Sequence, residues 1–381
     1  MVYLDWAATA APYPEIAAEA ASLSCRIFGN PSSMHSAGKE AKIMLETSRE
    51  KLAGCIGADK GQIIFTSGGS EADKLVMQST LRGKSRKTVI ISAIEHDAID
   101  REAKTLEDFG FAIERIKPKK SGIIDAGELA DRLSKDTALV SVMAVNNETG
   151  AIQPVQDILK IIHAFEQENG RAPFFHCDAV QAHGSIGLRL SSLGMDSAAF
   201  SAHKLGGPKG IGALYVKKRI EPLTSGGQEG GMRAGTENPA AAWAFAEVMK
   251  KNTDNADLLD KQAKLLESRL LEGIKSIIGA VVIPENRSAG DPRYCPNIIC
   301  LSFPGLGSET LVRLLDESGI AVSAGAACSS AKKERRVLDA MGTDRVLSFS
   351  AIRLSTGWNS SIEDIDKFLE TAASIYKRYK V

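Results

Sequence analysis

Ser197-Ala-Ala-Phe-Ser-Ala-His-Lys-Leu-Gly-Gly-Pro-Lys-Gly-Ile-Gly-Ala-Leu-Tyr215 is the stretch on which the fold turns. Ala198 to Phe200 is an apolar, strand-like run. Ser201-Ala-His-Lys204 closes it, and a loop built from Gly206, Gly207, Pro208 and Gly210 leads into a second apolar strand. Glycine and proline at that density interrupt regular structure, so Lys204 stands at the rigid end of a strand beside a turn. An amine placed this way projects into a pocket. There it can form a Schiff base with a carbonyl, the usual anchor for pyridoxal phosphate. A single lysine is more often a solvated surface residue, so Lys204 by itself does not decide.

The residues upstream shift the balance. Phe174-Phe-His-Cys-Asp178 is an apolar run ending in an acid, followed by Ala179, Val180 and Gln181. An aspartate at a strand end can pair with a protonated pyridine nitrogen and hold the ring as an electron sink. Taken singly, an aspartate is more often a cap or a turn acid. A strand-end aspartate followed, one structural unit later, by Ser-x-His-Lys is a specific combination.

At 381 residues the chain is long enough for two domains, or one large and one small. Lysine plus arginine balances aspartate plus glutamate at 47 each, so no global field favours nucleic acid or an anionic membrane. A hydrophobic fraction of 44% and 34 glycines suit a compact α/β protein. No apolar run approaches the ~20 residues needed to span a bilayer. Met1-Val-Tyr-Leu-Asp-Trp6 lacks the basic segment and apolar core of an export signal, so a cytoplasmic protein is expected. The six cysteines, at 25, 55, 177, 295, 300 and 328, include no C-x-x-C pair, which argues against zinc-ribbon and redox-dithiol readings, and no metal site is expected. Most read as small packing residues of a reducing compartment. Cys328 stands apart in Ser323-Ala-Gly-Ala-Ala-Cys-Ser-Ser330. Small residues on every side suit an accessible, reacting thiol better than a core one.

Along the chain, Phe28-Gly-Asn-Pro-Ser-Ser-Met-His35 resists helix, and both a loop over a pocket and a plain linker fit it. Residues 37–56 read as an amphipathic helix. Gln62–Phe65 is a short strand, and Thr66-Ser-Gly-Gly-Ser-Glu-Ala-Asp73 follows it. Ser70 is expected to cap a helix running to about Leu81, with Asp73 three residues on as its capping-box partner. Strand, glycine turn and helix N-terminus together receive a phosphate through backbone N–H groups and the helix dipole. Strands are expected at 88–92, 112–116 and 138–145, with helices near 97–109, 125–134 and 154–168. That alternation implies a mainly parallel sheet with helices on both faces, whose sites lie at the carboxyl ends of strands. Glu95-His96, Asn146-Asn147-Glu148, Asp178 and Ser201-x-His203-Lys204 all fall at or just past such ends. His96 alone reads as a structural histidine; as one of four polar clusters it can stack on a cofactor ring. A strand at 213–216, a glycine-rich loop at 225–238, a helix at 239–251 and a long helix at 253–278 follow. Strands at 281–283, 298–303, 320–322 and 351–354 then mix with helices as a small α+β domain.

With these residues in view, the chain closely resembles the cysteine desulfurases, pyridoxal-phosphate enzymes of fold type I (aspartate-aminotransferase-like). The resemblance runs essentially the whole length. It is carried by Tyr3-Leu-Asp-Trp-Ala-Ala8, Gly29-Asn-Pro-Ser-Ser-Met-His35, Thr66-Ser-Gly-Gly-Ser-Glu71, Asn146-Asn-Glu-x-Gly150, Ser201-Ala-His-Lys204, Gly231-x-Arg-x-Gly-Thr-x-Asn238 and the Ala-Cys pair at 327–328. It implies an α/β large domain with a mainly parallel mixed sheet over 15–255, and a small α+β domain from 1–14 and 256–381.

The resemblance further implies Lys204 as the Schiff-base lysine, Asp178 as partner of the pyridine nitrogen and His96 stacked on the ring. Asn147 and Gln181 would approach the ring oxygen or the substrate. Gly69, Ser70, Ser201 and His203 would hold the phosphate, and Thr236 would reach the phosphate of the neighbouring subunit of a homodimer. Arg353 would clamp the substrate carboxylate. Cys328 would take sulfur from L-cysteine, leaving L-alanine and a persulfide for an iron–sulfur scaffold or another acceptor protein. Three positions and one stretch depart from the family pattern: Trp6, Lys74, Ser70 in place of threonine, and Lys332-Lys-Glu-Arg-Arg336. None removes a catalytic group. A transaminase on this fold needs no thiol, so Cys328 argues against it, whereas a selenocysteine lyase would share it. A non-catalytic carrier has no use for Lys204, Asp178, Arg353 and Cys328 together.

Overall fold

The computed structural model describes residues 1–83, 85–182, 194–325 and 335–380. After a short first strand, β1 (Val2–Tyr3), seven strands build the main sheet: β2 (Ile63–Thr66), β3 (Thr88–Ser92), β4 (Ala112–Ile116), β5 (Thr137–Ser141), β6 (Phe174–Asp178), β7 (Ser197–Ser201) and β8 (Gly212–Val216). Their order is β2-β8-β7-β6-β5-β3-β4. From β4 to β7 every pairing is parallel, while β8 runs antiparallel to both β7 and β2.

β2, β3, β7 and β8 are buried at every residue, as strands covered on both faces must be. Successive side chains alternate faces. Ile90, Val140, Phe175 and Phe200 enter one core, with the Ser36–Ile56 and Pro239–Asp254 helices against it. Val89, Ile91, Leu139 and Ala199 enter the opposite core, under the Gly69–Ser79 and Asp97–Asp108 helices. This is the layered arrangement expected from the alternation of strand and helix.

Two boundaries differ from the expectation. The strand read at 138–145 ends at Ser141. The chain still follows β6 for a few residues, with Val142 N–H donating to His176 and Ala144 N–H to Asp178, and then folds back at Asn146. The helix read at 253–278 begins at Ala256, after a break at Asn255 (φ −106°, ψ 15°), and ends at Ile274. Among the described residues no helix is long and apolar enough to cross a membrane.

The second sheet is antiparallel, in the order β12 (Ala351–Ser355), β10 (Ile298–Ser302), β9 (Val281–Ile283). Beside it β1 pairs in parallel with β11 (Ile320–Ala321). Val2 and Leu4 share a core with Leu270, Phe303, Ile352 and Phe368, so the start of the chain packs with its last third.

The two sheets meet at a buried guanidinium. Arg287 donates to Thr149 C=O at 2.9 Å, Ile298 C=O at 2.6 Å and Cys295 C=O at 2.8 Å, and its Nη2 pairs with Glu267 Oε1 at 2.7 Å. Gly150 lies in the same joint with φ +74°, and a Cβ there would stand 2.4 Å from the Ile298 carbonyl oxygen. Both facts demand glycine at this turn. Replacing Arg287 by alanine leaves the Glu267 carboxylate buried and unpaired, and should cost about 3–5 kcal/mol of stability in urea unfolding. A loss under about 1 kcal/mol, typical of an exposed pair, would show that the joint is held by something else.

Candidate active site

The carboxyl ends of β6 and β7, the turn before the Gly69–Ser79 helix, residues 95–97 and the Asn146–Gly150 turn surround a cavity of ≈ 300 Å³. Gly69, Ser70, His96, Asn147, Asp178, Gln181, Ser201, His203, Lys204 and Arg353, all singled out from sequence, line it. Lys204 follows β7 in a single tight turn, Ala202–Lys204. Gly206 (φ +89°) then redirects the chain where a Cβ would press on the Tyr13 ring at 3.0 Å. The Lys204 amine donates to the carbonyls of Ala7 at 2.6 Å and Ala8 at 2.9 Å. Gln181 Nε2 donates to the same Ala7 carbonyl at 2.9 Å. His203 Nδ1 lies 3.2 Å from Thr9 Oγ1. Burial, helped by the charges of Lys204 and Lys209, pulls the His203 pKa down to about 4, so the ring is neutral.

Asp178 is 5% exposed at the end of β6. Burial raises its pKa; His96, the Val180 N–H at 2.9 Å and Lys204 work in the opposite direction. His96 caps the Asp97–Asp108 helix, its Nδ1 accepting from Ala98 N–H at 3.2 Å. Next to it Glu95 is fully buried, accepting from Ser92 Oγ and from Met143 N–H at 2.8 Å. Burial pushes its pKa up to about 8.

The helix start at Gly69 has the phosphate-receiving form. No side chain caps it, so none competes for its first-turn N–H groups. A Cβ at Gly69 would stand 2.4 Å from Val180 Cγ2, and one at Gly212 would stand 2.6 Å from Gly68 Cα. Two glycines therefore let the turn settle against the strand ends. Ser70 lies within the first turn and is exposed, and is not the cap expected from sequence. Nor does Asp73 reach back as a capping-box partner. Its carboxyl turns inward to His176, because this side of the helix packs on the sheet.

Arg353 lies on β12, opposite Cys300 of β10. It is buried, donating to Asn147 C=O at 2.9 Å and to Asp5 Oδ1 at 2.7 Å. Its Nε is buried without a hydrogen-bond partner among the described residues, an orphan that a ligand carboxylate would satisfy. Thr236 is exposed and does not line the cavity. Cys328 lies outside the described residues. Of its flanks, Gly325 and Arg336 line the cavity. Arg335 donates to the Ala324 carbonyl and Ser308 Oγ. Arg336 donates to the carbonyls of Ala93, at 3.0 Å, and Glu95.

Asp5, His176 and Arg336 had no role assigned from sequence, and Asp73 only that of a capping-box partner. His176 carried one usable signal, its place two residues before Asp178 on the same face of one strand. Asp5 carried none, since its partner is 348 residues away.

A lysine amine, a buried strand-end carboxyl, a neutral histidine and an uncapped helix start pressed against glycines suit pyridoxal phosphate, and the orphan Arg353 Nε suits an amino-acid carboxylate. Comparison with known proteins agrees. The model of the class-V aminotransferase family matches residues 2–368. A protein named cysteine desulfurase IscS from Clostridium botulinum is 35% identical, over 99% of this chain and 94% of its own length. Another of that name, from Dictyoglomus turgidum, is 35% identical over 100% of this chain and 95% of its own. A solved NifS-like protein superposes with a TM-score of 0.91 at 35% identity, covering 99% of both chains. The chain therefore belongs to the class-V aminotransferase family and, within it, to the pyridoxal-phosphate-dependent cysteine desulfurases.

Proposed function

We propose that this cavity removes sulfur from L-cysteine with the residues in the following roles. The observation that carries the reading is convergence: Lys204, Asp178 and Arg353 line one cavity, supplied from three different elements. Pyridoxal phosphate, when bound, supplies an electrophilic carbonyl and an electron sink.

Lys204 would hold that carbonyl through its amine, which is also the base nearest to take the substrate α-proton. Asp178 would be the partner of the ring nitrogen and keep the sink effective, and His96 would lie against the ring. Asn147 and Gln181 would orient the ring oxygen and the substrate. Gly69, Ser70, Ser201 and His203 would hold the phosphate end. Arg353 grips the substrate carboxylate through the donors that Asp5 and Asn147 leave over. The Cys328 thiolate attacks the substrate sulfur. An S–S bond forms on Cys328, the substrate C–S bond breaks, and protonation of the remaining carbon yields L-alanine. An acceptor protein, an iron–sulfur scaffold or a component of a thiolation pathway, then takes the terminal sulfur.

The exposed Thr236 fits service to the phosphate site of a second protomer, and so a homodimer. Residues 15–255 form the cofactor-binding part, with 1–14 and 256–381 as the smaller one; the shared core of Val2, Leu4 and Phe368 supports that division. The need for a reduced thiol at 328 favours the cytoplasm.

With L-cysteine and a reductant, the cofactor-loaded chain should form alanine and sulfide, and Cys328→Ala should lower both by a factor on the order of 10³ or more. Undiminished alanine formation by that variant would remove Cys328 from the mechanism. Arg353→Lys keeps the charge but loses the planar fork, so KM for L-cysteine should rise about ten- to a hundredfold with the cofactor absorption unchanged. An unchanged KM would assign the carboxylate to another residue.

A further inference from the structure

Below the cavity floor lies a polar chain that no step of the reaction touches. Asp73, on the Gly69–Ser79 helix, is 1% exposed, and its Oδ1 lies 3.1 Å from His176 Nε2. His176 is fully buried on β6, and its Nδ1 lies 2.8 Å from Ser197 Oγ on β7. His176 and Asp178 share one face of β6, and Asp73 reaches the cavity wall beside Asp178.

Asp178 therefore shares a buried space with two further carboxyls: Asp73 feels the charges of Asp178 and Glu95, and Glu95 feels that of Asp178. The cations that line the cavity are Lys204 after β7, Arg353 on β12 and Arg336; His96 after β3 and the carboxyls of Asp97 and Glu148 line it too. His203 is neutral, and the Cys177 thiol, on the other face of β6, is held protonated by burial. Glu71, on the same helix as Asp73, is turned away to Arg233 at 2.9 Å. Like charges that share a buried site do not all ionise. Asp73 has His176 as its one hydrogen-bond partner among the described residues, too few to stabilise a buried anion. Glu95 accepts two bonds on Oε1 but leaves Oε2 buried without a partner among the described residues, while Asp178 faces Lys204. Asp73 and Glu95 are the groups that give way. Burial pushes the Asp73 pKa well up and pulls that of His176 down to about 3, in the same sense.

We propose that Asp73 is a positioning residue held as the neutral acid: its O–H donates to His176 Nε2, His176 Nδ1–H donates to Ser197 Oγ, and this uncharged relay reserves the anionic charge of the buried cluster for Asp178. The proposal deepens the reading of Asp178 as partner of the ring nitrogen and rests on it. It fixes a tautomer. If Asp73 were a carboxylate, His176 would carry its proton on Nε2, or on both nitrogens.

The test uses the full chain loaded with pyridoxal phosphate and labelled with ¹⁵N-histidine, the His176 signal assigned by its loss in His176→Gln. Nitrogen shifts should report a neutral ring protonated on Nδ1 between about pH 6 and pH 9, unchanged in Asp73→Asn, whose amide N–H replaces the acid proton. An Nε2–H tautomer or an imidazolium overturns the proposal, and the unsubstituted protein alone decides this if the variant does not fold. In Asp73→Asn, pyridoxal phosphate affinity should stay within about twofold, and the pH midpoint of the bound-cofactor absorption should stay in place. A midpoint shift of about one unit or more means that Asp73 carries charge, and also overturns it. Asp178→Asn is read separately. If it leaves cofactor affinity and midpoint unchanged, the Asp178 assignment fails, while the His176 tautomer still reports on Asp73.

Discussion

The guanidinium of Arg287 is the fixed point from which the site is measured. It binds the Asn146–Gly150 turn, the start of β10 and the Glu267 carboxylate at once, and only a planar fork of five donors can serve acceptors in so many directions. The register follows from it. β10 holds β12 with Cys300 opposite Arg353, and the turn brings the Asn147 carbonyl under the Arg353 guanidinium. The placement of Arg353 relative to the lysine at the end of β7 thus depends on an interior joint as well as on the cavity's own walls.

The site was legible in the sequence where local rules and tertiary position coincide. Parallel strands buried on both faces read as apolar runs, and polar residues at their ends read as a site because the ends of such strands open onto one edge. Lys204, Asp178 and His96 were found that way. Reading failed where a local rule met a tertiary override. The spacing Ser70 to Asp73 fits a capping box, but the cap is a property of the helix end alone, whereas Asp73 answers to the sheet beneath it. Asn255 interrupts an otherwise helical leucine pattern that periodicity carries straight through. Asp5 and Arg336 act through partners that are hundreds of residues away, where no spacing rule reaches.

Two departures from the family pattern acquire physical reasons. Trp6 donates its indole N–H to the Tyr3 carbonyl at 2.9 Å and meets Trp358 edge-on at 6.2 Å. Gly357 makes room, since a Cβ there would lie 2.0 Å from the indole. The bulky residue has a niche of its own. Arg336, which read as loop charge, binds backbone carbonyls on either side of Ile94, next to His96. It therefore serves the wall of the cavity.

The pairing of β1 with β11 also bears on how the chain is made. Residues 2–4 are made long before their strand partner and core neighbours, which lie beyond residue 265. The large core itself draws on Ala7 from the start of the chain and on Cys295 and Ile298 from its last third. Contacts at that sequence separation close late. The Ala7 and Ala8 carbonyls therefore reach the Lys204 amine only after the strands of the second sheet have been made.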